Sequence, residues 1–250
     1  MTPPSSAPLL RCDDLVVGYG SPLLPAVSLA ITPGSFWAVL GRNGSGKTTW
    51  FRTMLGLLPA VDGTVQRADD VRPAYVAQRR AFDDLYPITA AQVVALGLQR
   101  GWGFLRPTGF FRAGVRTPNG PVREAMQATA CLELARHTFR SLSEGQKQRV
   151  LLARMVASGA QVAFLDEPTA AMDAVAEGET MALLDSLRTT YGLAVVVVSH
   201  HLAVALKRAD HVLFLDRDCQ LALAGTPEQV LEHPTVVAHY GDLLHRHDHE

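Results

Sequence analysis

The chain has 250 residues, 48% of them hydrophobic, and its 23 Lys and Arg against 24 Asp and Glu leave a formal net charge of −1. This balance excludes a disordered polar chain and a global positive field that would gather nucleic acid, which is not expected as a partner. No apolar stretch reaches the ~18–20 residues of a membrane helix, residues 1–10 lack the basic-then-apolar pattern of a secretory signal, and Cys12, Cys131 and Cys219 are spaced as reduced thiols rather than a disulfide framework.

Taken in chain order, the first continuous apolar run is Phe36-Trp37-Ala38-Val39-Leu40, and similar runs follow at 162–165, 195–198 and 212–215. Continuous rather than alternating apolar runs separated by helical patterns predict strands covered on both faces, hence an α/β fold with a mostly parallel sheet. Residues 48–58 read as a helix directly after the first run. Residues 89–98 read as a helix, 101–120 as a loop rich in Gly, Pro, Arg and aromatics, and 121–134 as another helix. That stretch predicts a helical subdomain inserted into the α/β core. Thr226-Pro227-Glu228-Gln229 reads as a helix start with Pro at its first position.

Between the first strand and its helix lies Gly41-Arg42-Asn43-Gly44-Ser45-Gly46-Lys47-Thr48-Thr49, which satisfies G-x-x-x-x-G-K-[ST] at every fixed position. Glycines let backbone N–H groups turn toward phosphate oxygens, and the helix that follows presents its positive end to the same anion. Lys47 is placed for the β- and γ-phosphates of ATP, and the Thr48 hydroxyl for Mg²⁺. The run at 162–165 leads straight into Asp166-Glu167-Pro168. A buried parallel strand puts these carboxylates at the carboxyl edge of the sheet, where open α/β sheets bind ligands. Asp166 suits the Mg²⁺ shell, and Glu167 is expected to polarise the attacking water as general base.

Leu142-Ser143-Glu144-Gly145-Gln146 opens a helical pattern that extends to Ala157, and Ser143 with Gln146 forms a capping-box pattern. Together with Gln148-Arg149 this segment resembles the signature motif of ABC ATPases. With the P-loop and Asp166-Glu167, the likeness spans residues 10–231.

The resemblance implies a P-loop NTPase core with an N-terminal antiparallel β subdomain and an inserted helical subdomain. The core would occupy about 8–85 and 160–232, the helical subdomain about 86–159 and a His-rich tail about 233–250 of the sequence. It also implies head-to-tail pairing, as a homodimer or with a second ABC ATPase, in which Ser143, Gly145 and Gln146 of one chain close on ATP held by the other. Tyr19 resembles the aromatic that stacks on adenine. Gln78 resembles the glutamine that touches Mg²⁺ or the lytic water, Asp173 the aspartate of the dimer seam, and His200 the switch histidine at the γ-phosphate. Three positions depart from the commoner pattern: Glu144 where Gly is usual, Ala170-Ala171-Met172-Asp173 for Ser-Ala-Leu-Asp, and His201 for Asp. Glu144 is expected to point outward, favouring the helix N-terminus.

The expected role is an ATPase subunit at the cytoplasmic face of the cell membrane, driving import through a separate permease supplied by a substrate-binding protein. The alternative is a soluble ABC switch protein, for example in cluster assembly. Residues 97–116 resemble the linker of ATPases that serve zinc or manganese importers. The terminal His233, His239, His245, His247 and His249 resemble the tails of some zinc-importer ATPases.

Overall fold

The computed structural model describes residues 7–76, 88–99, 118–170, 172–198 and 205–238. Two sheets carry the architecture. Strands β1 (Leu10–Val16), β2 (Val27–Ile31) and β4 (Asp62–Arg67) form an antiparallel sheet in the order β2-β1-β4. The second sheet has the order β5-β6-β7-β3-β8-β9, built from β3 (Phe36–Leu40), β5 (Pro73–Val76), β6 (Val162–Asp166), β7 (Ala194–Val198), β8 (His211–Asp216) and β9 (Leu221–Gly225). Its strands pair in parallel except for the antiparallel edge β8–β9.

The residue patterns explain this division. Every residue of β3, β6 and β7 is buried, whereas β2 alternates buried and exposed positions. The first kind of strand needs cover on both faces and the second on one. One apolar cluster fills the space between the two sheets. Trp50, Phe51 and Met54 of helix α1 (Lys47–Met54) sit inside it against Phe164 and Val196. Burying each such side chain contributes about 1.5–3 kcal/mol, so α1 is anchored by its apolar face. A second cluster covers the opposite face of the large sheet with Leu152 and Met155 of α4 (Glu144–Ala157) and Met181, Leu184 and Leu187 of α5 (Ala174–Tyr191).

A third cluster joins α2 (Ala90–Ala95), α3 (Gly120–Ala128) and the other side of α4 through Val94, Met126, Phe139 and Val150. Helix α4 therefore belongs to both the helical unit and the sheet. A short α6 (Pro227–Leu231) begins at Thr226 with a capping box to Gln229, as its sequence predicts.

Three helices are shorter than their patterns suggest, the 89–98 pattern being α-helical only over Ala90–Ala95 before a 3₁₀ turn at Leu96–Leu98. Helix α1 stops at Met54 rather than residue 58, because Gly56 takes φ 72° and Leu57 N–H turns back to the Arg52 carbonyl. Helix α3 stops at Ala128 rather than residue 134. There Ala130 adopts φ 47° and Cys131 N–H bonds the Met126 carbonyl, before a single 3₁₀ turn at Leu132–Leu134. Most of the expected loop at 101–120, and residues 239–250 of the tail, lie outside the described residues.

Candidate active site

β3 is the sheet's switch point, with β7 on one side and β8 on the other, and the loop 41–46 leaves its carboxyl end. Gly41 holds φ 144°, and a Cβ there would run into the Leu215 carbonyl oxygen and Ser45 Oγ. The loop can therefore cross the end of β8 only with glycine at this position. Helix α1 starts at Gly46 with no side chain capping it and no acidic residue in its first turn. Its positive end is left open to a cleft of about 740 Å³. Tyr19, Asn43, Gly44, Gly46, Lys47, Thr48, Thr49, Asp166 and Glu167 all line that cleft, while Gly41 and Ser45, in the same loop, pack against each other and do not line it.

The groups in the cleft are poised around an anion. Lys47 Nζ donates to the carbonyls of Gly41 at 2.7 Å and Arg42 at 2.8 Å. Burial pushes the Lys47 ammonium below its ordinary pKa, and the neighbouring Glu167 and Asp166 carboxylates oppose that shift. Ser45 Oγ is buried and has no hydrogen-bond partner among the described residues. An unsatisfied buried hydroxyl costs about 1–3 kcal/mol, so its place beside a glycine loop and an open helix end fits a ligand that supplies acceptors. A nucleotide triphosphate meets that requirement. The Thr48 hydroxyl donates to Asp166 Oδ2 at 3.2 Å. Hydroxyl and carboxylate oxygens form the hard donor set Mg²⁺ selects, so this pair fits the metal.

Asp166 ends β6 in register with Val198 of β7, and Glu167 N–H still bonds the Val198 carbonyl at 3.0 Å. Glu167 nevertheless takes φ 51°, a left-handed conformation that costs a non-glycine residue on the order of 1 kcal/mol. The break turns the second carboxylate out of the strand and into the cleft. Two residues that sequence reading gave no role also belong here. Arg217, directly after β8, lines the cleft. The Tyr75 hydroxyl on β5 donates to Asp166 Oδ2 at 3.0 Å. Burial and the Asp166 carboxylate push the Tyr75 phenol up to about 12. Nothing in the local sequence signals this contact, since it depends on the parallel pairing of β5 with β6, Tyr75 beside Phe164.

A second pocket of about 380 Å³ gathers Ser143, Gly145 and Gln146 at the start of α4 with Asp173 at the start of α5. Ser143 and Gln146 form the full capping box, and Asp173 caps α5 by accepting from Ala176 N–H at 2.8 Å. Glu144 also lines this pocket, and its carboxylate meets Lys147 Nζ at 3.4 Å. Arg149 reaches across to Glu179 at 2.6 Å, tying α4 to α5. The structure thus gathers the cleft residues in one place and the signature residues in another. Gln78 and His200 lie outside the described residues.

No helix among the described residues is long and apolar enough to cross a membrane, and they include no cluster of His, Cys, Asp and Glu suited to a metal ion.

Comparison with known proteins agrees with this geometry. Residues 24–170 match the ABC transporter family. The zinc import ATP-binding protein ZnuC of Halorhodospira halophila is 34% identical over 238 residues, covering 95% of this chain and 85% of the relative. A nucleotide-free ATP-binding cassette from an ABC transporter has the same fold, with TM-score 0.75 at 20% identity over 92% of this chain and 97% of its own. A dimeric bacterial ABC transporter cassette matches at 26% identity with TM-score 0.63, over 83% of this chain and 94% of its own. A triphosphate-ready glycine loop, paired carboxylates at the sheet edge and a separate signature pocket are features these relatives explain together: the chain belongs to the ABC transporter family, as an ATP-hydrolysing cassette.

Proposed function

We propose that the chain is the ATPase subunit of a metal-ion importer. The observation that carries the ATPase assignment is the convergence of Lys47, Thr48, Asp166 and Glu167 on one cleft above the unpartnered Ser45 hydroxyl. On ATP binding, Lys47 exchanges the Gly41 and Arg42 carbonyls for β- and γ-phosphate oxygens. Tyr19, 65% exposed at the rim, offers its ring to adenine. Mg²⁺ would supply charge neutralisation at the phosphates. Thr48 and Asp166 would hold it, and Glu167 accepts a proton from the attacking water. The assignments of Gln78 to the metal or lytic water and of His200 to the γ-phosphate rest on the family resemblance. Residues 86–159 act as the helical subdomain that carries Ser143, Gly145 and Gln146 to a second copy.

The dimer is supported by the dimeric cassette at 26% identity. The cargo is zinc, with manganese as the close competitor. The relative at 34% identity is named a zinc import protein, which also disfavours the soluble switch alternative. A membrane permease and a substrate-binding protein complete the assembly, which places this chain against the cytoplasmic face of the membrane.

The test is reconstitution of the chain with its permease in vesicles supplied with metal-loaded binding protein. ATP-dependent zinc accumulation is expected. ATP turnover without metal movement would leave the chain an ATPase and remove the importer reading.

A further inference from the structure

Two hydroxyls meet on a single carboxylate oxygen. Thr48 Oγ1 and Tyr75 Oη both donate to Asp166 Oδ2, at 3.2 and 3.0 Å. The donors come from different layers. Thr48 stands in the first turn of α1, while Tyr75 stands on β5 beside the strand that carries Asp166. The Tyr75 ring is held edge-on to Phe51 at 6.3 Å, and Phe51 in turn packs edge-on against Phe164 at 5.1 Å. The phenol ring is thus held against the edge of the main core by edge-on aromatic contacts.

We propose that Tyr75 is a positioning residue for the metal shell, holding the Asp166 carboxylate in one orientation through Oδ2 while Thr48 turns from it to the metal. This rests on Asp166 and Thr48 serving Mg²⁺, as above. A carboxylate oxygen accepts along two directions, and here both are occupied. If Thr48 turned its hydroxyl oxygen to the metal, one direction on Oδ2 would open while Tyr75 kept the other. A carboxylate left with no other donor would be free to rotate about its terminal bond, which has broad, soft wells. Tyr75 removes that freedom beforehand, because its ring is already immobilised by packing. Supporting groups of this kind characteristically change metal affinity by tenfold or more when lost.

The experiment compares the full-length protein with Tyr75→Phe, which keeps the ring and deletes only the hydroxyl. A fluorescent nonhydrolysable ATP analogue is titrated in EDTA and across a Mg²⁺ series, and Mn²⁺ bound with the same analogue is followed by electron paramagnetic resonance. The expected result is unchanged analogue affinity in EDTA and a rise of about tenfold or more in the half-saturating Mg²⁺ concentration, with a broadened Mn²⁺ signal. Equal weakening in EDTA and Mg²⁺ would overturn the inference, because Tyr75 would then be supporting the nucleotide cleft in general. Identical Mg²⁺ dependence in both proteins would overturn it as well. Wild-type binding that ignores Mg²⁺ would strike at the Asp166 and Thr48 assignment itself, and so is distinguishable from failure at Tyr75 alone.

Discussion

The cleft after β3 and the pocket at the start of α4 both open on a helix N-terminus, yet their chemistry is opposed. In the cleft, α1 is uncapped, Ser45 Oγ lacks a partner among the described residues and the Lys47 ammonium is parked on two carbonyls. In the signature pocket, Ser143 and Gln146 satisfy the helix end themselves. The charges differ too. Glu133, Glu144, Asp173 and Glu179 line the signature pocket with Arg149, and Arg149 is engaged by Glu179. An acidic wall with a satisfied helix end holds a free triphosphate poorly. The Ser143 hydroxyl accepts from Gln146 N–H and still has its own proton to donate. The pocket is therefore suited to close on a phosphate already neutralised elsewhere, whereas the cleft is suited to capture one. Under the proposed head-to-tail pairing, that asymmetry would give an order to events: nucleotide first, pairing second.

Four substitutions put this contrast to the test. The largest effect belongs to Glu167→Gln in the cleft. Steady-state phosphate release should fall by about a hundred- to a thousandfold, while size-exclusion chromatography with ATP shows the dimer accumulating. Turnover close to wild type would remove Glu167 from its role as base. Next, Lys47→Met should weaken nucleotide binding measured by calorimetry by about ten- to a hundredfold, since charge-assisted bonds to phosphate are lost. The same change leaves the Gly41 and Arg42 carbonyls without their donor, so thermal stability measured without nucleotide should drop as well.

At the signature pocket, Ser143→Asp separates the cap from the phosphate contact. Aspartate caps a helix as well as serine, so the melting temperature should hold, while ATP-driven pairing followed by light scattering weakens by about tenfold from like-charge repulsion. Retained pairing would mean that Ser143 serves only α4. The smallest effect is expected of Glu144→Gln. Its ion pair with Lys147 is partly exposed and worth a few tenths of a kcal/mol. ATP turnover by a coupled assay should stay within about twofold.

The cleft was more legible in the sequence than the pocket, for a local reason. A phosphate loop is a continuous segment whose glycines, lysine and hydroxyl must appear in fixed order, and residues 41–49 present all of them. The sheet core was legible because strands buried on both faces leave unbroken apolar runs, and β3, β6, β7 and β8 fall on those runs. Helix ends were read less well. Gly56 and Ala130 ended α1 and α3 early through left-handed turns that apolar periodicity does not report. Tyr75 and Arg217 escaped notice because each comes from a segment distant in sequence: Tyr75 on β5 reaches Asp166 of the cleft, and Arg217, just after β8, lines it.

What the sequence determined by itself is the inventory of phosphate chemistry and the layered α/β class, because both are written in short-range order and burial pattern. Only the tertiary structure decided which oxygen of Asp166 receives two hydroxyls, that Glu167 breaks from its strand at φ 51°, and that the signature pocket is acidic and self-capped. Those outcomes depend on strand register and on side chains converging from separate elements, and neither is encoded in the spacing of any one segment.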